Sequence, residues 1–317
     1  MEKITEWVLI NLDAPQHKRK PLLASDSQHK LNELKTLIEP FLDGKSAGLI
    51  PKHVTIVWSL TGSLYRVPIH GIFTGDELFI HRNPVIYTQS LGLLYQIWKK
   101  RRIAKPEVSA KMAVINPLAS DWTSSVAAKE IVTSLSRFQA LHGTDITKTQ
   151  AMQLLQGCHV FNFQGHARFE ASDPMSSFLR LGGKRERITV RDILRELKLD
   201  SLALCIFFAC GSGKPTITTA DDVLSLPIAL HYAGASSIVS TLWPVDDTDG
   251  AVFVQRFYKE LVDASPLVEQ ASSAKDLNDG PASQRSTGLV NLAKVMQSTI
   301  VGIYNEATNE EEKLPYH

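Results

Sequence analysis

Phe161-Asn-Phe-Gln-Gly-His166-Ala167 is the stretch on which the fold turns. An apolar run closed by a glycine reads as a buried strand whose carboxyl end presents an imidazole. Leu204-Cys-Ile-Phe-Phe-Ala-Cys210-Gly-Ser-Gly213 has the same form and ends in a thiol among small residues. Strands this apolar are covered on both faces, as in a parallel sheet flanked by helices.

The surrounding segments keep that rhythm, because strand and helix patterns alternate strictly from about Lys111 onward. Met112-Ala-Val-Ile-Asn116 is a strand halted by Pro117. Ser124 to Leu135 is an amphipathic helix, and Phe138 to His142 is a short strand ended by Gly143. Thr147 is placed to cap a helix running through Leu155, and Thr189 to cap one from Val190 to Leu197. Asp221 or Asp222 is expected to begin a helix that reaches Tyr232 and stops at Gly234, ahead of a strand from Ser236 to Leu242. A helix from Thr248 to Val262 follows, with Asp249 as its candidate cap. A loop rich in Ser, Ala, Asp and Pro then spans Asp263 to Ser286, and a last helix spans Leu289 to Ile303.

Upstream, Trp7 to Leu12 reads as a strand, and the spacing of Leu31, Leu34, Leu37 and Ile38 as a helix. Three β-rich runs follow, Val54 to Ser59, Leu64 to Val67 and Leu78 to His81, with turn signals at Thr61-Gly62 and Gly75-Asp76. Leu91, Leu94, Tyr95 and Trp98 mark a helix whose end carries Lys99-Lys-Arg-Arg102, read as solvated cations that complement the macrodipole. The expected fold class is α/β, a mainly parallel sheet flanked by helices over residues 109–304. An N-terminal α/β region (1–108) is expected to pack against it, and an acidic tail (305–317) to follow.

In 317 residues, 34 Lys and Arg stand against 33 Asp and Glu, a net charge of +1 that predicts no partnership with nucleic acid or membrane. Glu2, Lys3 and Glu6 interrupt the first turn, where a signal peptide would be apolar, and no apolar run reaches bilayer length. A cytoplasmic or nuclear location is therefore expected. Cys158, Cys205 and Cys210 are read as free thiols, since they are odd in number and lack the paired spacing of structural zinc. Neither a metal nor a cofactor is expected.

Open parallel sheets bind ligands beyond the carboxyl ends of their strands, where His166 and Cys210 are both expected. Imidazole can take a thiol proton and later protonate a leaving amine, so the two together read as the dyad of a cysteine protease. Taken singly, Cys210 reads equally well as a buried structural thiol and His166 as a hydrogen-bonded loop histidine; their joint placement selects the chemistry. Gly165, Ala167, Ala209, Gly211 and Gly213 let a substrate carbonyl approach the backbone, and the amides of Ala167 and Cys210 are the candidate oxyanion donors. Other motifs fail. Gly44-Lys-Ser-Ala-Gly48 follows a helix, whereas a nucleophile elbow follows a strand. Cys210-Gly-Ser-Gly-Lys214 lacks the first glycine and the hydroxyl of a phosphate loop.

Phe207-Phe-Ala-Cys210-Gly-Ser-Gly213 resembles the caspase nucleophile motif, with the histidine upstream as that motif requires. More closely, the chain resembles the CHAT-domain family of clan CD cysteine peptidases, relatives of caspases and separases. The resemblance rests on Phe161 to Ala167, Ile188-Thr-Val-Arg-Asp-Ile193, Phe208 to Gly213, Ala220-Asp-Asp-Val-Leu224, Leu230-His-Tyr-Ala-Gly-Ala235 and Val239-Ser-Thr-Leu-Trp-Pro-Val-Asp-Asp247, with Leu64 to Ile69 upstream. It implies a caspase-like fold and an endopeptidase with a role in cell death or immune signalling. Gasdermin-like precursors are among the substrates of relatives. It also implies a protein substrate and an activating sensor, either in trans or in a longer parent chain. Asp221, Asp222, Asp246 and Asp247 become candidates for binding a basic substrate residue, with helix capping as the plainer role of the first two. Phe169 to Arg187 reads as a loop between the two motifs, placed to shape the cleft or to be cut during activation. Two departures stand out: Ala167 replaces the usual glycine after the histidine, where a positive φ would be strained, and Ser212 replaces Thr or Asp. The competing expectation is a catalytically silent interaction module with the same fold.

Overall fold

The computed structural model describes residues 35–36, 51–74, 77–103, 111–117, 138–170, 172–183, 185–209, 216–217, 223–242, 247–264 and 290–309. The strand expected at Trp7 to Leu12, the helix at 124–135 and the loop beyond Ala264 lie outside them.

The N-terminal part contains β1 (Ile56–Ser59), the short strands β2 (Phe73–Thr74) and β3 (Glu77–Leu78), helix α1 (Phe79–Arg82), β4 (Val85–Thr88) and helix α2 (Leu91–Ile103). β1 and β4 pair in parallel, with Ile56 opposite Val85. Two of the three β-rich runs are corrected. Leu64 to Val67 belongs to a 3₁₀ turn over Gly62–Arg66, which brings Leu64 and Val67, three residues apart, into one apolar cluster. After Leu78 the chain turns helical, because Phe79 and Ile80 are both buried and a strand would send them to opposite faces. Lys100 does more than complement a dipole: its Nζ reaches Asp200 at 2.6 Å, and this hydrogen bond holds the Asp200 carboxyl below its usual range.

The main body continues with β5 (Met112–Asn116), β6 (Phe138–His142), α3 (Lys148–Gly157), β7 (Val160–Gln164), β8 (His166–Arg168), β9 (Phe178–Arg180), β10 (Arg187–Thr189), α4 (Val190–Glu196) and β11 (Leu204–Phe208). The hairpin β12 (Thr216–Ile217) and β13 (Val223–Leu224) precedes α5 (Leu226–Ala233), β14 (Ser237–Val239), α6 (Asp247–Asp263) and α7 (Leu292–Asn309). Strands β14, β11, β7, β5 and β6 form, in that order, an all-parallel sheet. Phe161, Phe163 and Phe207 fill one face with residues of α3, α4 and α5; Val114, Leu204 and Ile206 fill the other with Phe257 and Tyr258 of α6 and Val295 of α7. The expected fold class is thus observed.

Local signals explain most boundaries. Thr147 and Thr189 each cap their helix through a capping box, with Gln150 and Asp192 as the reciprocal partners. Gly234 ends α5 at φ 118°, a conformation that favours glycine. The start of α5 is corrected: β13 occupies Val223–Leu224, so the cap is Ser225, whose hydroxyl accepts from the Ile228 amide. Asp249 lies inside the first turn of α6 and does not cap it. The last helix continues six residues past Ile303 to Asn309, where Glu306 pairs with Arg256 of α6.

Candidate active site

β7 and β11 run side by side and end level, with Gln164 opposite Phe208. At the end of β7 the chain bends through Gly165. A Cβ there would lie 3.1 Å from the Phe163 ring and 3.2 Å from Pro117 Cδ, so close packing explains the glycine. The next residue, His166, opens β8 with an exposed side chain.

β8 is the edge strand of a second, antiparallel sheet of order β10-β9-β8, built from part of the segment read as a cleft loop. Leu181 N donates to Glu186 O and Val190 N to Ser177 O, both at 2.9 Å. Backbone groups alternate sides along an antiparallel strand, so Ser177, Leu179 and Leu181 face β10, while Phe178 and Arg180 face β8. By the same alternation His166 and Arg168 turn their amides toward β9. Ala167 directs its N–H and carbonyl off the other edge of β8, which pairs with no strand among the described residues. The expected strain at Ala167 does not arise, since the residue is extended strand and His53 alone among the described non-glycine residues has a positive φ.

Cys210 lies outside the described residues, as do Asp221, Asp222 and Asp246; Asp247 is described only as the first residue of α6. The structure therefore brings His166 and Ala167 to the carboxyl edge of the parallel sheet, and describes the chain that leads to Cys210 as far as Ala209. Ala209 is buried, and its carbonyl accepts a hydrogen bond from Thr241 Oγ1 at 2.9 Å. Thr241 stands just past β14 in the Val239–Asp247 motif, where sequence gave it no role. Gln164 is also unassigned by sequence: it is buried beside the bend, and neither polar atom of its side-chain amide has a hydrogen-bond partner among the described residues.

The other two thiols are structural. Burial pushes the Cys158 thiol up to about 12, and raises that of Cys205 well above its ordinary value. Thiols held protonated in this way are poor nucleophiles. Among the described residues no group of three His, Cys, Asp or Glu side chains could hold a metal, and no helix is long and apolar enough to cross a membrane.

The model of the CHAT domain family matches residues 28–276. No curated protein sequence gives a significant match. Among solved structures, chains from two crystal structures of the Saccharomyces cerevisiae separase–securin complex are similar. One, at 2.6 Å resolution, is 13% identical over 76% of this chain with a TM-score of 0.46. The other, at 3.0 Å, is 12% identical over 59% with a TM-score of 0.41. The chain spans 15% and 12% of the length of those two.

Proposed function

The chain belongs to the CHAT-domain family, and from that premise we propose that it is a cysteine endopeptidase working through Cys210 and His166. The observation that carries the reading is the level ending of β7 and β11: His166 follows Gln164 by two residues, and Cys210 follows Phe208 by two. Two residues of chain extend at most about 7 Å, and adjacent strands lie about 4.8 Å apart, so the reach of the chain supports a reading in which both side chains serve one edge of the sheet.

In this mechanism Cys210 passes its proton to the His166 imidazole, and the thiolate attacks the scissile carbonyl. The tetrahedral oxyanion is met by the Ala167 amide, which points off the edge of β8 that no described strand pairs with, and by the Cys210 amide. Ala209 O and Cys210 N–H belong to one planar peptide unit, so Thr241 steadies that donor by holding the carbonyl. His166 then protonates the leaving amine, and water, deprotonated by the same imidazole, releases the acyl group from sulfur. The chain's own groups suffice for these steps.

Asp221, Asp222, Asp246 and Asp247 remain the candidates for meeting a basic substrate residue; Ser225 takes the capping role that was the alternative for the first two. Family resemblance alone supports a setting in cell death or immune signalling, in cytoplasm or nucleus, with a gasdermin-like precursor as a candidate substrate and a sensor in trans or in a longer parent chain as activator. Mapping new protein termini in a lysate with the wild-type chain and with Cys210→Ala tests the proposal. Termini that share a residue preference and are missing with the variant support it. Identical maps from a chain supplied with its activator favour a silent interaction module.

A further inference from the structure

His166 belongs to a row of three side chains. In the antiparallel sheet it lies directly across from Arg180, which lies directly across from Arg187. Residues in register share a face, so all three leave the same side, and all three are exposed. The alternate positions Leu179 and Ile188 are buried in the core on the reverse side, with Ala167 packed against them. Arg168, two residues along β8, joins the exposed face, but its Nε is paired with Glu170 at 2.6 Å. Arg180 and Arg187 have no carboxylate partner among the described residues. The Arg187 guanidinium sits over the Phe178 ring, 5.1 Å from its centroid, a stack that keeps it on this face.

Two like charges set directly opposite one another on a sheet cost stability. An anion lying between them would remove that cost. Building on the protease reading of His166, we infer that this face binds an acidic segment of the protein substrate, with Asp or Glu carboxylates meeting Arg180 and Arg187. Strand spacing puts the two arginine positions about 5 and about 10 Å from His166, and an extended peptide advances about 3.3 Å per residue. The acidic residues therefore fall within about three positions of the scissile bond. A net charge of +1 over the chain supplies none of the broad basic field that a nucleic-acid backbone requires, so the patch suits a short acidic peptide.

The test is a peptide array probed with the Cys210→Ala chain, carrying extended peptides with acidic, neutral and basic runs. The acidic peptides are expected to bind best, to lose affinity as salt is added, and to bind about tenfold more weakly to a chain that also carries Arg180→Ser and Arg187→Ser. An unchanged or raised melting temperature of that variant shows that its fold is intact. The inference is overturned if acidic peptides are not preferred, if the preference survives the double substitution, or if an oligonucleotide of similar length binds more tightly. Array binding needs no catalysis. A lysate map without Cys210-dependent termini would count against the protease reading and leave the array result standing.

Discussion

The two sheets of this molecule handle their surfaces in opposite ways. The parallel sheet is covered by apolar side chains and helices on both faces, whereas the antiparallel sheet buries Leu179 and Ile188 on one face and exposes His166, Arg180 and Arg187 on the other. One sheet sets position and the other presents chemistry. Gly165 is the joint between them, and the side chains around it carry the candidate site.

Substitutions should separate these roles. The largest loss of stability is expected from Phe207→Ala, which empties a fully buried site between Phe161 and Phe163. A cost of about 3–5 kcal/mol should appear in urea unfolding. Gly165→Ala comes next: the new methyl meets Phe163 and Pro117 at tight distances, so about 1–3 kcal/mol of stability should go. Its activity should fall further than that loss explains, because His166 is the next residue. Thr241→Val leaves the Ala209 carbonyl without its hydroxyl donor and should cost about 1–3 kcal/mol in the same assay. It should lower kcat more than it raises KM, and Thr241→Ser should restore both. The smallest effect on stability belongs to Arg180→Ser, which removes an exposed charge facing another charge, and thermal melting should register no loss. A comparable loss from Arg180→Ser and Phe207→Ala would erase the distinction between the sheets.

The parallel sheet is legible because four of its strands, β5, β6, β7 and β11, are five-residue runs rich in apolar side chains, with stop signals such as Pro117 after Met112–Asn116 and Gly143 after Phe138–His142. Thr147, Thr189 and Gly234 marked helix ends through chemistry local to a few residues. The antiparallel sheet reads as loop in sequence because its strands have three residues each and are separated by Asp173-Pro174 and Gly182-Gly183. A signal existed: Phe178-Leu-Arg-Leu181 and Arg187-Ile-Thr-Val190 both show two-residue alternation, which puts the arginines on the polar face. Ser225 does not stand out in sequence because Asp221 and Asp222 are equally good caps in isolation, and only the pairing of Val223–Leu224 with β12 moves the helix start past them. His166 was legible as a strand-end residue. Arg180 and Arg187 as its neighbours depend on register, and Thr241 on a contact across 32 residues of sequence; neither is written in local pattern.

The most direct test of the dyad is mass-spectrometric mapping of alkylation by a labelled peptide chloromethyl ketone, on the wild-type chain and on His166→Ala. Modification of Cys210 in the wild type, with Cys158 and Cys205 untouched and the label largely lost in His166→Ala, is the predicted result. Equal labelling of Cys210 with and without His166 would contradict a working dyad.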